Sequence, residues 1–265
     1  MSSEKELDVR AYNRESWDKQ VEYGNPWTIP VSPETIAEAR QGRWQVLLTE
    51  QLFVPREWFP ASLAGLDLLG LACGGGQQGP IFAALGARVT ILDNSPRQLA
   101  RDREVAAREG LAIATVEGDM RDLSAFADQS FDLVFHPVSN CFIHEIRPVW
   151  REAYRVLRPG GTLLAGFNNP DTYVFDYHEA EQGIFTARYK LPFDARQMTE
   201  EERQREFGDA PLEFSHSLAD QISGQLEAGF LLSGLYEDTQ KSVLGEYLPH
   251  YFATRAIKPL PAWPR

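Results

Sequence analysis

LLGLACGGGQQG, residues 68–79, decides how this chain folds. An apolar run opens onto glycines and then onto a helix signal at Pro80. Such a loop lets a ligand approach the backbone where no Cβ stands in the way. The helix after it adds amide donors and the positive end of a dipole. Gly74, Gly76 and Gly79 fit G-x-G-x-x-G, and Asp93 closes the next apolar run 19 residues after Gly74. That is the spacing of a dinucleotide fingerprint, whose acidic residue takes ribose hydroxyls. Taken alone, the loop leaves three readings: a dinucleotide, another adenosine-bearing cofactor, or a turn that serves only strand–helix packing.

Apolar runs alternate with helical stretches on both sides of the loop. Strands are expected over 66–72, 88–93, 112–116, 131–135 and 162–167. Helices are expected from Pro80 to Gly86, from Ser95-Pro96 to Gly110, and over 143–157, where Arg158-Pro159-Gly160-Gly161 stops the last one. This order, with few hairpin signals, predicts β-α-β units and a mostly parallel sheet. Residues 1–62 hold no glycine-rich turn. They read as a helix over 10–23, a break at Gly24-Asn25-Pro26-Trp27 and a second helix capped by Ser32 before Pro33. Residues 168–215 interrupt the alternation with an aromatic cluster (Tyr173, Phe175, Tyr177, Phe185, Tyr189 and Phe193) and an acidic helix, for which Thr199 and Glu202 form a capping box. A helix over 218–228 and strands over 230–236 and 251–257 complete the pattern. The Pro-rich tail 259–265 reads as loose.

Composition bounds the function. The chain has 265 residues, 43% of them hydrophobic and 24% charged, which is ample for a self-supporting core. Its net charge of −12 repels phosphate backbones and anionic lipid, so neither nucleic acid nor membrane is an expected partner. Cys73 and Cys141 lie in different motifs, as in a reducing cytosol. The polar N-terminus is unlike a signal peptide, and no apolar run of about 18 residues exists to span a bilayer. The five histidines have no paired ligand spacing, so no metal site is expected. The sequence is that of a cytoplasmic α/β protein.

Motifs downstream of the loop narrow the choice. Gly118-Asp119-Met120 comes after the third strand, where a carboxylate can accept from an adenine amino group. Phe131-Asp132-Leu133-Val134 forms the fourth strand, and Arg155-Val156-Leu157-Arg158-Pro159-Gly160-Gly161 ends the helix after it. This order resembles class I S-adenosylmethionine-dependent methyltransferases, in particular the methyltransferase-11 (UbiE-like) group, over roughly 64–257. The resemblance implies a Rossmann-like seven-stranded sheet, mostly parallel with the last strand antiparallel and helices on both faces. Residues 1–62 would form an N-terminal helical cover and 63–265 the cofactor-binding domain, with 168–215 as a substrate-covering insertion. It further implies that Ala72, Cys73, Gly74, Gly76 and Gln78 line the methionine and ribose side of the cofactor. Asp93 would hold both ribose hydroxyls. Asn94, Ser95 and Gln98 would lie under the adenine, and Asp119 with Met120 would meet its edge and face. His136 and Pro137 would lie near the transferred methyl. The chain departs from the family in having Gly70 where an acidic residue is usual and Ala72 at the first glycine.

The implied chemistry is in-line methyl transfer to a small organic acceptor, leaving S-adenosylhomocysteine. A general base is needed only if the acceptor must first lose a proton. His136 is the expected base, with His178, His216, Tyr173 and Tyr177 behind it, while His144 and Cys73 read as ordinary packed residues. Tyr12, Trp17, Trp27, Tyr173 and Tyr177 are the candidate walls of an acceptor pocket. Two other readings stay open on the sequence: an NAD-dependent oxidoreductase, which an all-parallel sheet would favour, and a non-catalytic S-adenosylmethionine-binding protein, suggested by the altered loop.

Overall fold

The apolar runs on either side of the glycine loop become adjacent strands of one sheet. The computed structural model describes residues 7–261; the first six residues and the end of the Pro-rich tail lie outside it. Two helices, α1 (Val9–Tyr23) and α2 (Pro33–Arg40), precede the sheet. Then come β1 (Asp67–Leu71), α3 (Gln78–Ala84), β2 (Arg88–Asp93), α4 (Pro96–Glu109), β3 (Ile113–Glu117) and β4 (Phe131–His136). The chain continues through α5 (Arg147–Val156), β5 (Leu157–Asn168), α6 (Tyr177–Ala180), α7 (Glu200–Phe207), α8 (Gly224–Ala228), β6 (Leu231–Asp238) and β7 (Tyr251–Ile257).

The strand order is β3-β2-β1-β4-β5-β7-β6. The first five strands of this order are mutually parallel, and β7 runs antiparallel to both β5 and β6. The reversed strand means that the sheet lacks the all-parallel arrangement that would have favoured an oxidoreductase. Alternate residues of each central strand feed two cores. Leu68, Ile91, Leu133 and Phe135 face α2, α3 and α4, whereas Leu69, Leu71, Leu92 and Val134 face α5. Both faces are covered, so the strands read as continuous apolar runs rather than alternating ones.

Several expected boundaries shift. The helix predicted over 143–157 starts at Arg147, because residues 140–142 form a separate 3-10 turn. Arg158-Pro159-Gly160-Gly161 does stop α5, yet it belongs to an irregular start of β5, bonded to Lys258 through the Gly160 amide and the Gly161 carbonyl. The 218–228 helix is a π-turn over Ala219–Ser223 running into α8. The capping box at Thr199 and Glu202 is formed.

The segments before and within the βα pattern meet each other above the carboxyl ends of the strands. Phe193, Ala195, Leu212 and Phe214 of the 168–215 stretch pack with Val9 of α1 into a small separate core. The Asn13 side chain staples this contact. Its amide nitrogen donates to the carbonyls of Phe142 (2.8 Å) and Leu212 (3.0 Å), and its oxygen accepts from the Leu212 amide (2.8 Å). Residues 46–54 cross the end of β5 so closely that a Cβ on Gly166 would overlap the Leu48 carbonyl. Among the described residues no helix is long and apolar enough to cross a membrane.

Candidate active site

A cavity of about 360 Å³ opens at the carboxyl ends of β1 to β5, a volume within the range of small-molecule sites. It straddles the β1/β4 junction, where the order of strands reverses and ligands of open α/β sheets bind.

The glycine loop forms one wall. Ala72, Cys73, Gly74 and Gln78 line the cavity. The glycines there serve the protein's own packing more than the approach of a ligand. The Gly74 amide donates to the Asp93 carboxylate at 2.9 Å, and a Cβ on Gly74 would lie 2.7 Å from Gln98 Cβ. Gly75 sits under the Trp27 carbonyl, and Gly76 sits against the Arg101 carbonyl with its own carbonyl accepting from Val31. Gly76 therefore supports the loop from behind and does not reach the cavity. Gly70 is equally constrained, since a Cβ there would stand 2.5 Å from Ile91 Cδ1. An acidic side chain has no room at that position. Ala72 keeps the left-handed backbone of the glycine it replaces, with φ of 47°. That conformation costs a non-glycine residue about 1–2 kcal/mol, part of which glycine loses again through its freer unfolded state. Ala72→Gly should therefore stabilise the fold by about 0.5–1 kcal/mol, read from denaturant unfolding. Destabilisation would mean that the alanine methyl contributes more packing than its φ costs.

The next strands supply the polar groups. Asp93, Asn94 and Gln98 line the cavity at the end of β2, and Asp119 and Met120 line it after β3. Asp93 also accepts from the Ser95 amide at 2.9 Å, and burial pushes its carboxyl above the ordinary range. Gln98 Oε1 is buried, has no hydrogen-bond partner and belongs to a side chain on the cavity wall. Asp119 is clamped by the Arg121 guanidinium (2.7 Å), and its pKa is held low against its partial burial. Ser95 is a different case. Its hydroxyl caps α4 at the Gln98 amide and donates to Asp18 at 2.6 Å, so it fastens α1 rather than lining the cavity.

His136 does not face the cavity. It is fully buried on the α5 side of the sheet, edge-on to Trp150, with Nδ1 2.8 Å from the Leu71 carbonyl and Nε2 2.6 Å from Asn140 Oδ1. Burial lowers its pKa against the raising effect of these two contacts, and both ring nitrogens are engaged by the protein. The expected base is thus a structural residue. Strand alternation is the cause: β4 is buried on both faces, and the cavity is lined by Pro137 and Val138. His216 is buried against the carbonyls of Asn140 and Ile143, and His178 is exposed on α6. His144 does line the cavity.

Of the expected aromatic walls, Trp17 and Trp27 line the cavity. Tyr12 and Tyr173 pack into the small core around Phe193, and Tyr177 is 59% exposed outside the cavity. The residues that sequence reasoning missed come mostly from loops. Glu50, Asn168, Glu213 and Tyr251 form the end of the cavity away from β3. Glu50 rides on a turn held by Asp238 Oδ2, which accepts from Thr49 Oγ1 (2.7 Å) and from the amides of Glu50 (3.1 Å), Gln51 (2.8 Å) and Leu52 (3.0 Å). Asp238→Ala should cost about 1–2 kcal/mol, because the freed amides lie near solvent and can rehydrate. Thermal unfolding checks this; no change in melting temperature would show that the turn stands without its carboxylate.

Known proteins are similar to this chain in sequence and in fold. Residues 69–165 match the family described as a methyltransferase domain. The chain is 46% identical over 250 residues to the uncharacterized methyltransferase YbaJ of Bacillus subtilis, covering 94% of this chain and 98% of that one. Its fold is similar to that of an S-adenosylmethionine-dependent methyltransferase from Mesorhizobium loti, with TM-score 0.57 at 19% identity over 76% of this chain and 94% of the other. It is also similar to an arsenic(III) S-adenosylmethionine methyltransferase from Chlamydomonas reinhardtii, with TM-score 0.54 at 20% identity over 89% of this chain and 77% of the other.

The residues on the wall fit S-adenosylmethionine. A carboxylate closes β2, an acid and a thioether come after β3, and the orphaned oxygen of Gln98 asks for a donor. That cofactor supplies an electrophilic methyl group on a sulfonium. The chain belongs to the class I S-adenosylmethionine-dependent methyltransferases, and it is an enzyme of that kind with S-adenosylmethionine as its cofactor.

Proposed function

We propose that the enzyme methylates a small organic acceptor bound beside the cofactor in this same cavity. The observation that carries the reading is the continuity of the cavity: the same space is lined by Asp93 and Asp119 at one end and by Glu50, Asn168 and Glu213 at the other. Neighbouring strands lie about 4.8 Å apart, so the ends of β5 and β7 stand some two to three strand spacings from the glycine loop. That leaves room for a second molecule in line with the first.

In this arrangement Asp93 would accept the ribose hydroxyls. Asp119, fixed by Arg121, would meet the adenine edge, and Leu92 and Met120 would bracket the ring. Ala72 to Gly74 and Pro137 would flank the methionine portion. The enzyme's task is alignment in a space shielded from water by α1 and the 168–215 stretch, and such positioning can supply about 7–11 kcal/mol. The net charge of −12 supports a small acceptor over nucleic acid. The test is incubation with methyl-labelled cofactor and mixed candidate acceptors, then size fractionation. Label in the small-molecule fraction is expected. Label confined to protein or RNA would overturn the reading.

A further inference from the structure

Among the described residues, the far end of the cavity holds acceptors of hydrogen bonds and no free cation. Glu50 receives the Tyr251 hydroxyl at 2.9 Å, and Glu213 receives the Tyr173 hydroxyl at 2.6 Å. Burial raises the pKa of the Tyr251 hydroxyl and both carboxylates add to the rise, and Tyr251, Glu50 and Glu213 all line the same cavity. Among the described residues neither forms a salt bridge, and each meets the cavity. The cations on the cavity wall are committed elsewhere: Arg121 to Asp119, and Arg10 to Asn94 through its Nε at 3.1 Å.

A second feature points the same way. Asn168 ends β5 on the same wall, and its Nδ2 donates to the Tyr173 hydroxyl at 3.1 Å. Its Oδ1 is buried and has no partner. A buried amide oxygen without a donor costs about 1–3 kcal/mol, and carboxylates without a counter-charge cost more. Two anions and an orphaned oxygen converging on one space call for a ligand with a positive charge and several N–H groups. Leu48, Val138, Cys141 and Pro211 also line the cavity, and such apolar or weakly polar groups suit a short carbon skeleton.

We propose, resting on the small-acceptor reading above, that the acceptor is a small primary or secondary amine, seated between Glu50 and Glu213 and methylated on that nitrogen. The amine arrives as an ammonium ion. One N–H proton passes to the Glu213 carboxylate, whose burial raises its proton affinity. The lone pair so freed forms the new nitrogen–carbon bond while the methyl–sulfur bond breaks, its electron pair remaining on sulfur. The product leaves as a methylated ammonium ion, and Glu213 returns its proton to solvent. Glu50 accepts a hydrogen bond from the amine before and after the transfer, and the Tyr173 and Tyr251 hydroxyls fix the two carboxylates.

The test pairs a substrate screen with a binding measurement. Small amines are compared with alcohols and thiols of the same skeleton, using methyl-labelled cofactor. Glu213→Gln and Glu50→Gln are assayed for turnover and, by calorimetry, for S-adenosylhomocysteine affinity, with thermal unfolding as the check on folding. Methylation of amines alone is expected. Each variant should lose at least a hundredfold in kcat/KM while S-adenosylhomocysteine affinity stays within threefold. Methylation of alcohols or thiols in preference to amines would overturn the amine and leave the small-acceptor reading standing. A tenfold or greater loss of S-adenosylhomocysteine affinity in both folded variants would also overturn it, because the carboxylates would then be holding the cofactor's own amino group. Label found only in macromolecules would sink both readings together.

Discussion

Asp93→Ala should weaken S-adenosylhomocysteine binding by ten- to a hundredfold and leave the fold intact. Two of the carboxylate's acceptor sites are used internally, by the Gly74 and Ser95 amides at 2.9 Å each. The others face the cavity, where a ribose offers two hydroxyls. Hydrogen bonds to a charged acceptor are worth about 1.5–3 kcal/mol each, and tenfold in affinity is about 1.4 kcal/mol. Losing both bonds therefore clears tenfold even after water fills part of the gap. The fold should survive because the carboxylate is buried at a cost, as its raised pKa records. Isothermal calorimetry decides the matter, and unchanged affinity would remove Asp93 from the site.

Asp102→Asn should flatten the loss of stability that the native protein shows as pH rises. Asp102 lies on α4 beneath the glycine loop, with Oδ2 accepting from the Gly75 amide at 3.1 Å and Oδ1 unpartnered. Burial pushes its carboxyl from an ordinary 3.8 up to about 8. Between those values the folded chain holds a proton that the unfolded chain has released. Stability from this group is thus complete below the unfolded value and declines as pH rises through the folded one. The slope is on the order of 1 kcal/mol per pH unit. Asparagine cannot ionise and keeps an oxygen for the Gly75 amide, so the variant's advantage should grow to a few kcal/mol between about pH 5 and pH 8. Denaturant unfolding at several pH values measures it. Parallel stability curves for the two proteins would show that Asp102 titrates at its ordinary value.

The central sheet was legible because its signals are local. Strand length, the glycine loop, the Asp93 spacing and the helix stops at Gly110 and Gly161 are all encoded within a few residues of where they act. The end of the cavity nearest β1 to β3 inherits that legibility, since Ala72, Asp93 and Asp119 each sit at or just past the end of a strand. The opposite end does not. Glu50 reaches the cavity only because Asp238, 188 positions from it, organises its turn. Glu213 does so only because Asn13 and Tyr173 hold the returning chain. No periodicity marks either residue. His136 failed for a different reason: in a strand buried on both faces the apolar pattern carries no parity, so the sequence cannot say which side a terminal residue points to.

The position of β7 between β5 and β6 bears on how the molecule is made. A ribosome releases β6 before β7, yet β6 touches the sheet only through β7. Until residues 251–257 emerge, β6 has no neighbouring strand, and the growing sheet ends at β5. The two final strands must then join as a pair, with Tyr251 arriving beside Asn168 in the same register step. Since Tyr251 also holds Glu50, that end of the cavity is completed only after residues 251–257 have been made, whereas the glycine loop is made about 170 residues earlier. A nascent chain that has not yet reached residue 251 can carry the glycine loop and Asp93 while the Glu50 and Asn168 end of the cavity still lacks the strand that braces it.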